Sequence, residues 1–225
     1  MASERIGAVI TAAGRGERMR GGDKLFVEIG GRALLARTVD TFERCEAISE
    51  IVLVLAEENL ERGRELTRLN HWSKLKTICA GGQRRQDSVR EGLRRLSDCQ
   101  WAVIHDGARP LVTPELILRG VQKAHQTGAA IAAVPVKDTI KRVSPEGLVM
   151  DTPLRDGLWA VQTPQVFRFD LIMRAHETIT EDVTDDAAMI ERMGGRVSIY
   201  MGDYENIKVT TPEDLILVEM ILQRR

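Results

Sequence analysis

Cysteine is scarce in this chain. The 225 residues hold three, Cys45, Cys79 and Cys99, widely spaced and with no CxxC pair. An odd number without metal-ligand spacing argues against a zinc ribbon or a disulfide framework, and it fits a reducing compartment. Excess charge is lacking too: 32 basic against 33 acidic residues leave a net charge of -1. No global field draws the chain to nucleic acid or to an acidic membrane, although a local basic pocket is not excluded. There is no long apolar run. The first residues, Met1 to Arg5, lead straight into a short apolar segment, so neither a signal peptide nor a membrane span is expected. The expectation is a cytoplasmic protein whose partners are neither nucleic acid nor membrane. Repeats, low-complexity tracts and linkers are missing as well. So are two nucleotide signatures. Walker A, GxxxxGK[ST], does not occur. In Gly14-Arg15-Gly16-Glu17-Arg18-Met19 a methionine stands where GxGxxG needs its third glycine, which disfavours a dinucleotide-dependent dehydrogenase.

What is present suits one α/β domain over residues 1–225, with 43% apolar residues to supply its core. Residues 6–11 read as a strand running into Ala12-Ala13-Gly14. Leu35, Val39 and Phe42 fall at helical spacing. Residues 51–55 form a continuous apolar run, as in a strand buried on both faces. A polar helix follows over about 59–68, then a short strand at 77–80, then a helix with Val89, Leu93 and Leu96 on one face. Further strands are expected at 101–104 and 129–136, with Thr113-Pro114 opening the helix between them. Strands alternating with helices argue a mostly parallel mixed sheet covered on both faces. The alternation breaks near 138. Residues 139–143, a Ser-Pro-Glu-Gly turn and 148–150 read as a hairpin too polar for a sheet interior, and hence as an arm over about 138–157. Beyond it, strands are expected near 158–161, 197 and 207, helices from about 170 and 184, and a last helix capped by Thr211-Pro212 with Leu215, Val218 and Leu222 facing inward.

In an open α/β sheet, ligands bind beyond the carboxyl ends of the strands. Four segments fall there. The first is Ala12-Ala13-Gly14-Arg15-Gly16, with Arg18 and Lys24 close behind. Its small residues let backbone amides approach phosphate oxygens, and its cations suit a triphosphate; a solvated Arg-rich turn is the plainer reading. The second is Gly81-Gly82-Gln83-Arg84-Arg85-Gln86-Asp87-Ser88, where Asp87 or Ser88 could simply cap a helix. The third is His105-Asp106-Gly107-Ala108-Arg109-Pro110. A carboxylate at a strand end beside phosphate loops suits Mg²⁺, so Asp106 is the candidate metal residue; a turn-capping aspartate is the alternative. His105 reads best as a satisfied core histidine. The fourth comprises Arg155, Thr163 and Lys208, each unremarkable alone.

Taken in order, AAGRGERM with a following lysine, GGQRRQDSV, HDGARP, PVKDTIKRV, WAVQTPQVF, TDDA and NIKVTTPEDL resemble the 2-C-methyl-D-erythritol 4-phosphate cytidylyltransferase family over about residues 6–222. AAGxGxR alone marks only the wider nucleotidyltransferase group, and ribitol-5-phosphate cytidylyltransferases share much of the series. The resemblance implies a Rossmann-like fold and CMP transfer from CTP, with Mg²⁺, to methylerythritol phosphate. It also implies a homodimer whose β-arm reaches the partner's site. Ala12, Ala13, Gly14 and Gly16 then match the loop around CTP, and Arg18 and Lys24 the pair that stabilises the transition state. Gly82, Gln83, Arg85 and Ser88 match the cytidine-recognising segment, and Asp106 and Gly107 further nucleotide contacts. Arg109, Thr139, Arg155, Thr163 and Lys208 match the acceptor site, with Arg155 and Lys208 positioning its phosphate and Thr139 and Arg155 serving the neighbouring subunit. The acceptor's own phosphate would be the nucleophile, so no general base is needed. Two departures stand out. Asp23-Lys24-Leu25 replaces the family's usual Pro-Lys-Gln, with a loop about one residue shorter and Asp23 placed to pair with Lys24. Gly107 stands where alanine is common.

Overall fold

The computed structural model describes residues 4–14 and 24–225. The chain begins with β1 (Ile6–Ala12), a buried apolar strand. A 3₁₀ turn (Lys24–Phe26) is followed by a two-strand hairpin, β2 (Glu28–Ile29) and β3 (Arg32–Ala33), which leads into α1 (Leu34–Arg44). Then come β4 (Ile48–Leu55), α2 (Leu60–Asn70), β5 (Leu75–Ala80), α3 (Arg85–Leu93), β6 (Trp101–Asp106), α4 (Pro114–Thr127) and β7 (Ala129–Pro135). The hairpin arm is β8 (Arg142–Val143) and β9 (Val149–Asp151). The chain returns through β10 (Trp159–Arg168), α5 (Phe169–Thr178), α6 (Asp186–Arg192), β11 (Ser198–Met201) and α7 (Pro212–Arg224).

Seven strands form one sheet in the order β11-β7-β10-β6-β1-β4-β5. All neighbours are parallel except β10, which runs antiparallel between β6 and β7. The mostly parallel mixed sheet read from the sequence is therefore present. Helices cover both faces, because the strands are apolar on both. On one face Leu35, Val39 and Phe42 of α1 pack with Leu116 and Ile117 of α4 and with Val218 of α7. On the other, Val89 and Leu93 of α3 pack with Ile172 of α5 and Met189 and Ile190 of α6. Among the described residues no helix is long and apolar enough to cross a membrane.

The arm is a hairpin, as its pattern suggested. Gly147 N–H closes the turn on Ser144 C=O at 2.9 Å, and both strands are exposed. Two expectations need correction. The strand expected at 158–161 runs on to Arg168, because after an irregularity at 162–164 pairing resumes at Gln165 with both β6 and β7. No strand forms near Ile207; Asn206 N–H turns back to Asp203 C=O, and Val209 N–H makes a single long-range bond to Ala108 C=O. The β2–β3 hairpin around Gly30-Gly31 was not anticipated.

The topology fixes where a ligand can lie. From β1 the chain moves outward through β4 and β5, then returns to place β6 on the other side of β1. The crevice beyond the carboxyl ends of β1 and β6 is thus a topological switch point, the usual ligand position in such sheets.

Candidate active site

At that switch point lies a cleft of about 1170 Å³. Four strand ends supply its walls: Ala12-Ala13-Gly14 after β1, Ala56-Glu57-Glu58 after β4, Gly81-Gly82 after β5 and Asp106 at the end of β6. Lys24, Gln83, Arg84, Arg85, Ser88 and Lys208 complete much of the lining.

Local structure explains how each side chain is held. Lys24 opens the 3₁₀ turn whose Leu25 is buried, and the next residue, Phe26, lies under the Arg62 guanidinium at 3.9 Å. Gly81 and Gly82 are required by close approach. A β-carbon on Gly81 would meet Ala13 Cβ at 2.4 Å and Ser88 Oγ at 2.6 Å; one on Gly82 would meet Asp87 Cβ at 2.4 Å. At the start of α3, Asp87 accepts from Arg84 N–H at 3.2 Å, and Ser88 Oγ accepts from Gly82 N–H at 3.1 Å. The capping read from the sequence is present, and it shapes the cleft floor as well.

Asp106 is the electrostatic centre. Its carboxylate lies 3.0 Å from Lys208 Nζ, 3.5 Å from Arg85 Nε and 3.5 Å from Arg109 Nε. Burial alone would raise its pKa, but Lys208, Arg85 and Arg109 together hold it well below the usual carboxylate range. It is therefore an anion at neutral pH. Arg85 also bonds to Asp186 at 2.6 Å. Burial opposes its charge, yet the two aspartates raise its pKa and it stays protonated.

Beneath Asp106 runs a closed hydrogen-bond chain. His105 is fully buried. Its Nε2 lies 3.3 Å from Arg109 C=O and its Nδ1 3.0 Å from Thr163 Oγ1. A carbonyl can only accept, so Nε2 carries the proton and Nδ1 accepts from the Thr163 hydroxyl. Thr163 Oγ1 in turn accepts from Asp106 N–H at 3.0 Å. Burial pushes the His105 pKa down to about 3, so the ring is neutral. The core-histidine reading holds.

The structure brings together Ala12, Ala13, Gly14, Lys24, Gly82, Gln83, Arg85, Ser88, Asp106 and Lys208 on one cleft. Gly107 packs just behind, against Ala12 and Leu35. Arg109 and Thr163 lie under Asp106 and do not reach the cleft wall. Arg109 donates to Asn206 C=O at 2.7 Å, and Asn206 Nδ2 donates to Thr163 C=O at 2.7 Å. Thr139 and Arg155 are exposed on the arm. Arg155 borders a separate hollow at the arm's base with Lys137, Trp159 and Tyr204, where Lys137 Nζ stacks over the Tyr204 ring at 3.5 Å. Gly16, Arg18 and Asp23 lie outside the described residues. Sequence reasoning gave no role to Asn206 or Asp186, although NIK and TDDA carried them; it missed Glu57 and Glu58 entirely.

Glycine-rich strand ends, converging cations and one ionised carboxylate at a switch point define a nucleotidyltransferase type of site. The family model IspD, 2-C-methyl-D-erythritol 4-phosphate cytidylyltransferase, matches residues 6–224. A protein of that name from Dehalococcoides mccartyi strain CBDB1 is 49% identical over 222 residues, 99% of this chain and 98% of its own length. One from Halalkalibacterium halodurans is 47% identical, with 96% of each chain covered. The crystal structure of 4-diphosphocytidyl-2C-methyl-D-erythritol synthase from Anaerococcus prevotii superposes with a TM-score of 0.87 at 34% identity, covering 99% of this chain and 97% of that one. The chain belongs to the 2-C-methyl-D-erythritol 4-phosphate cytidylyltransferase family.

Proposed function

We propose that this chain transfers CMP from CTP to 2-C-methyl-D-erythritol 4-phosphate, releasing pyrophosphate. The observation that carries the reading is the polarity of the cleft: Lys24, Arg85 and Lys208 converge on it, whereas among its described lining there is no histidine or cysteine. That arrangement suits a reaction whose nucleophile, a phosphate oxygen, is already anionic. The obstacle is repulsion between two polyanions, so the protein's task is positioning and electrostatic stabilisation.

In this reading Ala12, Ala13, Gly14 and Gly16 wrap the triphosphate, and Arg18 and Lys24 hold the charge that grows on the α-phosphate. Gly82, Gln83, Arg85 and Ser88 recognise the base, with Asp106 and Gly107 beside the nucleotide. Lys208 steadies the acceptor phosphate from the cleft wall. Arg109 and Thr163 act on the acceptor side through Asp106. Among the described residues no cluster of three metal-ligating side chains exists, and Asp106 is the one buried carboxylate in the described lining of the cleft. That donor set fits Mg²⁺ carried mainly by phosphates and water with one carboxylate, not a protein-built cage. When bound, Mg²⁺ neutralises triphosphate charge and helps pyrophosphate depart.

Residues 1–225 form one catalytic domain in this proposal, and the arm at about 138–157 makes a homodimer. Its apolar side chains support that assignment: Leu148 is 69%, Met150 66% and Leu154 87% exposed in the single chain. Thr139 and Arg155 would then serve the partner's cleft. Mixing Lys24→Ala with Arg155→Ala chains should restore activity in heterodimers; none would argue against a shared site. The cysteines are all unpaired and buried, in keeping with a cytoplasmic enzyme.

The test is pyrophosphate release with CTP and Mg²⁺, comparing methylerythritol phosphate with ribitol 5-phosphate. Fast release with methylerythritol phosphate alone is expected. Preference for ribitol 5-phosphate would move the acceptor assignment. CTP binding without release for either would indicate a nucleotide-binding regulator.

A further inference from the structure

Behind the cleft wall sits a carboxylate that the proposed reaction does not use. Asp186, the first residue of α6, has a side chain 0% exposed. One of its oxygens lies 2.6 Å from Arg85 Nη1, and the other 3.3 Å from His176 Nε2, itself buried on α5. Neither that oxygen nor His176 Nε2 makes a hydrogen bond of good geometry. On the cleft side, Arg85 Nε lies 3.5 Å from Asp106. One guanidinium thus spans two carboxylates from different elements, Asp106 at the end of β6 and Asp186 at the start of α6.

The segment leading into α6 is tied to the same part of α3. Gln86 uses both ends of its amide: Nε2 donates to Glu181 C=O at 3.1 Å, and Oε1 accepts from Val183 N–H at 3.1 Å. Arg84 donates to Thr180 C=O at 2.9 Å and to Asp182 at 2.8 Å. Residues 180–186 therefore form a frame behind the base-recognising segment.

Stability gives little reason for such a pair. Asp186 is fully buried and Arg85 is 29% exposed, and a largely buried ion pair is often no better than apolar packing of the same volume. Geometry gives a better one. A planar guanidinium held by anions on two sides has a single orientation, which a point charge would lack. We infer that Asp186 is a positioning residue for the nucleotide: it fixes the Arg85 fork so that its remaining N–H groups face CTP bound along Gly82, Gln83 and Ser88. The inference rests on the reading that Arg85 faces the nucleotide.

Asp186→Asn keeps the shape and removes the charge. The Michaelis constant for CTP is expected to rise about tenfold, equivalent to about 1.4 kcal/mol. Turnover and the Michaelis constant for the acceptor should move less than about twofold. A mere countercharge would act in the opposite sense, because removing a negative charge near a polyanion tightens its binding. A lowered or unchanged constant for CTP would therefore overturn the inference. Arg85→Ala separates the two levels. If it leaves the CTP constant at wild type, the placement of Arg85 in the site is wrong. If Arg85→Ala raises it and Asp186→Asn does not, only the positioning role is wrong. Should Asp186→Asn not fold, Arg85→Lys asks the same question, since lysine keeps the charge between both aspartates and lacks the fork. A wild-type CTP constant in Arg85→Lys would equally overturn it.

Discussion

Replacing Asp106 by asparagine changes few atoms and removes the charge around which three cations are arranged. The cost can be worked out cation by cation. The Lys208 ammonium is 41% exposed and can turn to water. Arg85 retains Asp186. Arg109, whose side chain is only 11% exposed, keeps the carbonyl of Asn206 and no counterion. The loss is thus set mainly by one stranded buried guanidinium, about 3 kcal/mol, the low end for breaking a buried pair. For a chain of this size that is a fall in Tm of about 6–12 °C. The pH dependence has a definite sign. Asp106 titrates below its unfolded value of roughly 3.9, so its contribution is complete above that value and disappears as pH falls through the folded one. Thermal melts of wild type and Asp106→Asn should differ by a constant amount between about pH 5 and 8, and the gap should close below about pH 4. A Tm within about 2 °C of wild type at pH 7 would refute the reasoning, as would a gap that widens in acid.

Lys24→Ala should keep its melting temperature and lose about two to three decades of turnover, measured as pyrophosphate release, because one preorganised donor to the reacting phosphate is gone. Gly81→Ala pushes a β-carbon into Ala13 and Ser88; destabilisation of about 1–3 kcal/mol in urea and weaker CTP binding are expected, and wild-type behaviour in both would contradict the close packing of the cleft floor. His105→Gln should cost stability by breaking the chain through Thr163 while leaving the shape of the pH–rate profile between about pH 5 and 9 unchanged, since the ring is neutral throughout; a displaced limb would give His105 a catalytic role.

The alternation of strand and helix was legible because strands buried on both faces must be continuously apolar, as residues 51–55 are. Helix starts were legible where chemistry is local. Thr113 caps α4 by accepting from Leu116 N–H, with Pro114 in the first turn. β10 was only half legible, because the polar stretch at 162–164 interrupts its pattern and only the pairing of Gln165 with both neighbours shows that the strand resumes. Following strand ends found the lining after β1, β5 and β6 but not Glu57 and Glu58 after β4, and Lys208 came from the family resemblance. Depth was not available to that method: Arg109 and Thr163 read as polar groups near a site, and only the tertiary structure puts them beneath Asp106. The pair Asp185-Asp186 shows the limit sharply. Adjacent acids at a helix start have the same local propensity to cap, so sequence does not separate them. Asp185 does cap, accepting from Ala188 N–H, whereas Asp186 turns inward to Arg85 and His176.

The antiparallel strand β10 carries a constraint for anyone exchanging arms between relatives. It leaves the arm at Trp159, and four residues later its Thr163 hydroxyl meets both His105 and the Asp106 amide. Around Thr163 the ladder is irregular: Val161 pairs with Ala133 but Gln165 with Ile131, so four residues of β10 cover two of β7. The bulge at 162–164 is what turns the threonine hydroxyl toward His105, so inserting or deleting a single residue there would take it off both partners. An arm graft is therefore a problem of register: its length can vary at the tip, but its return strand has to arrive with that bulge in place, or the buried lattice under Asp106 comes apart.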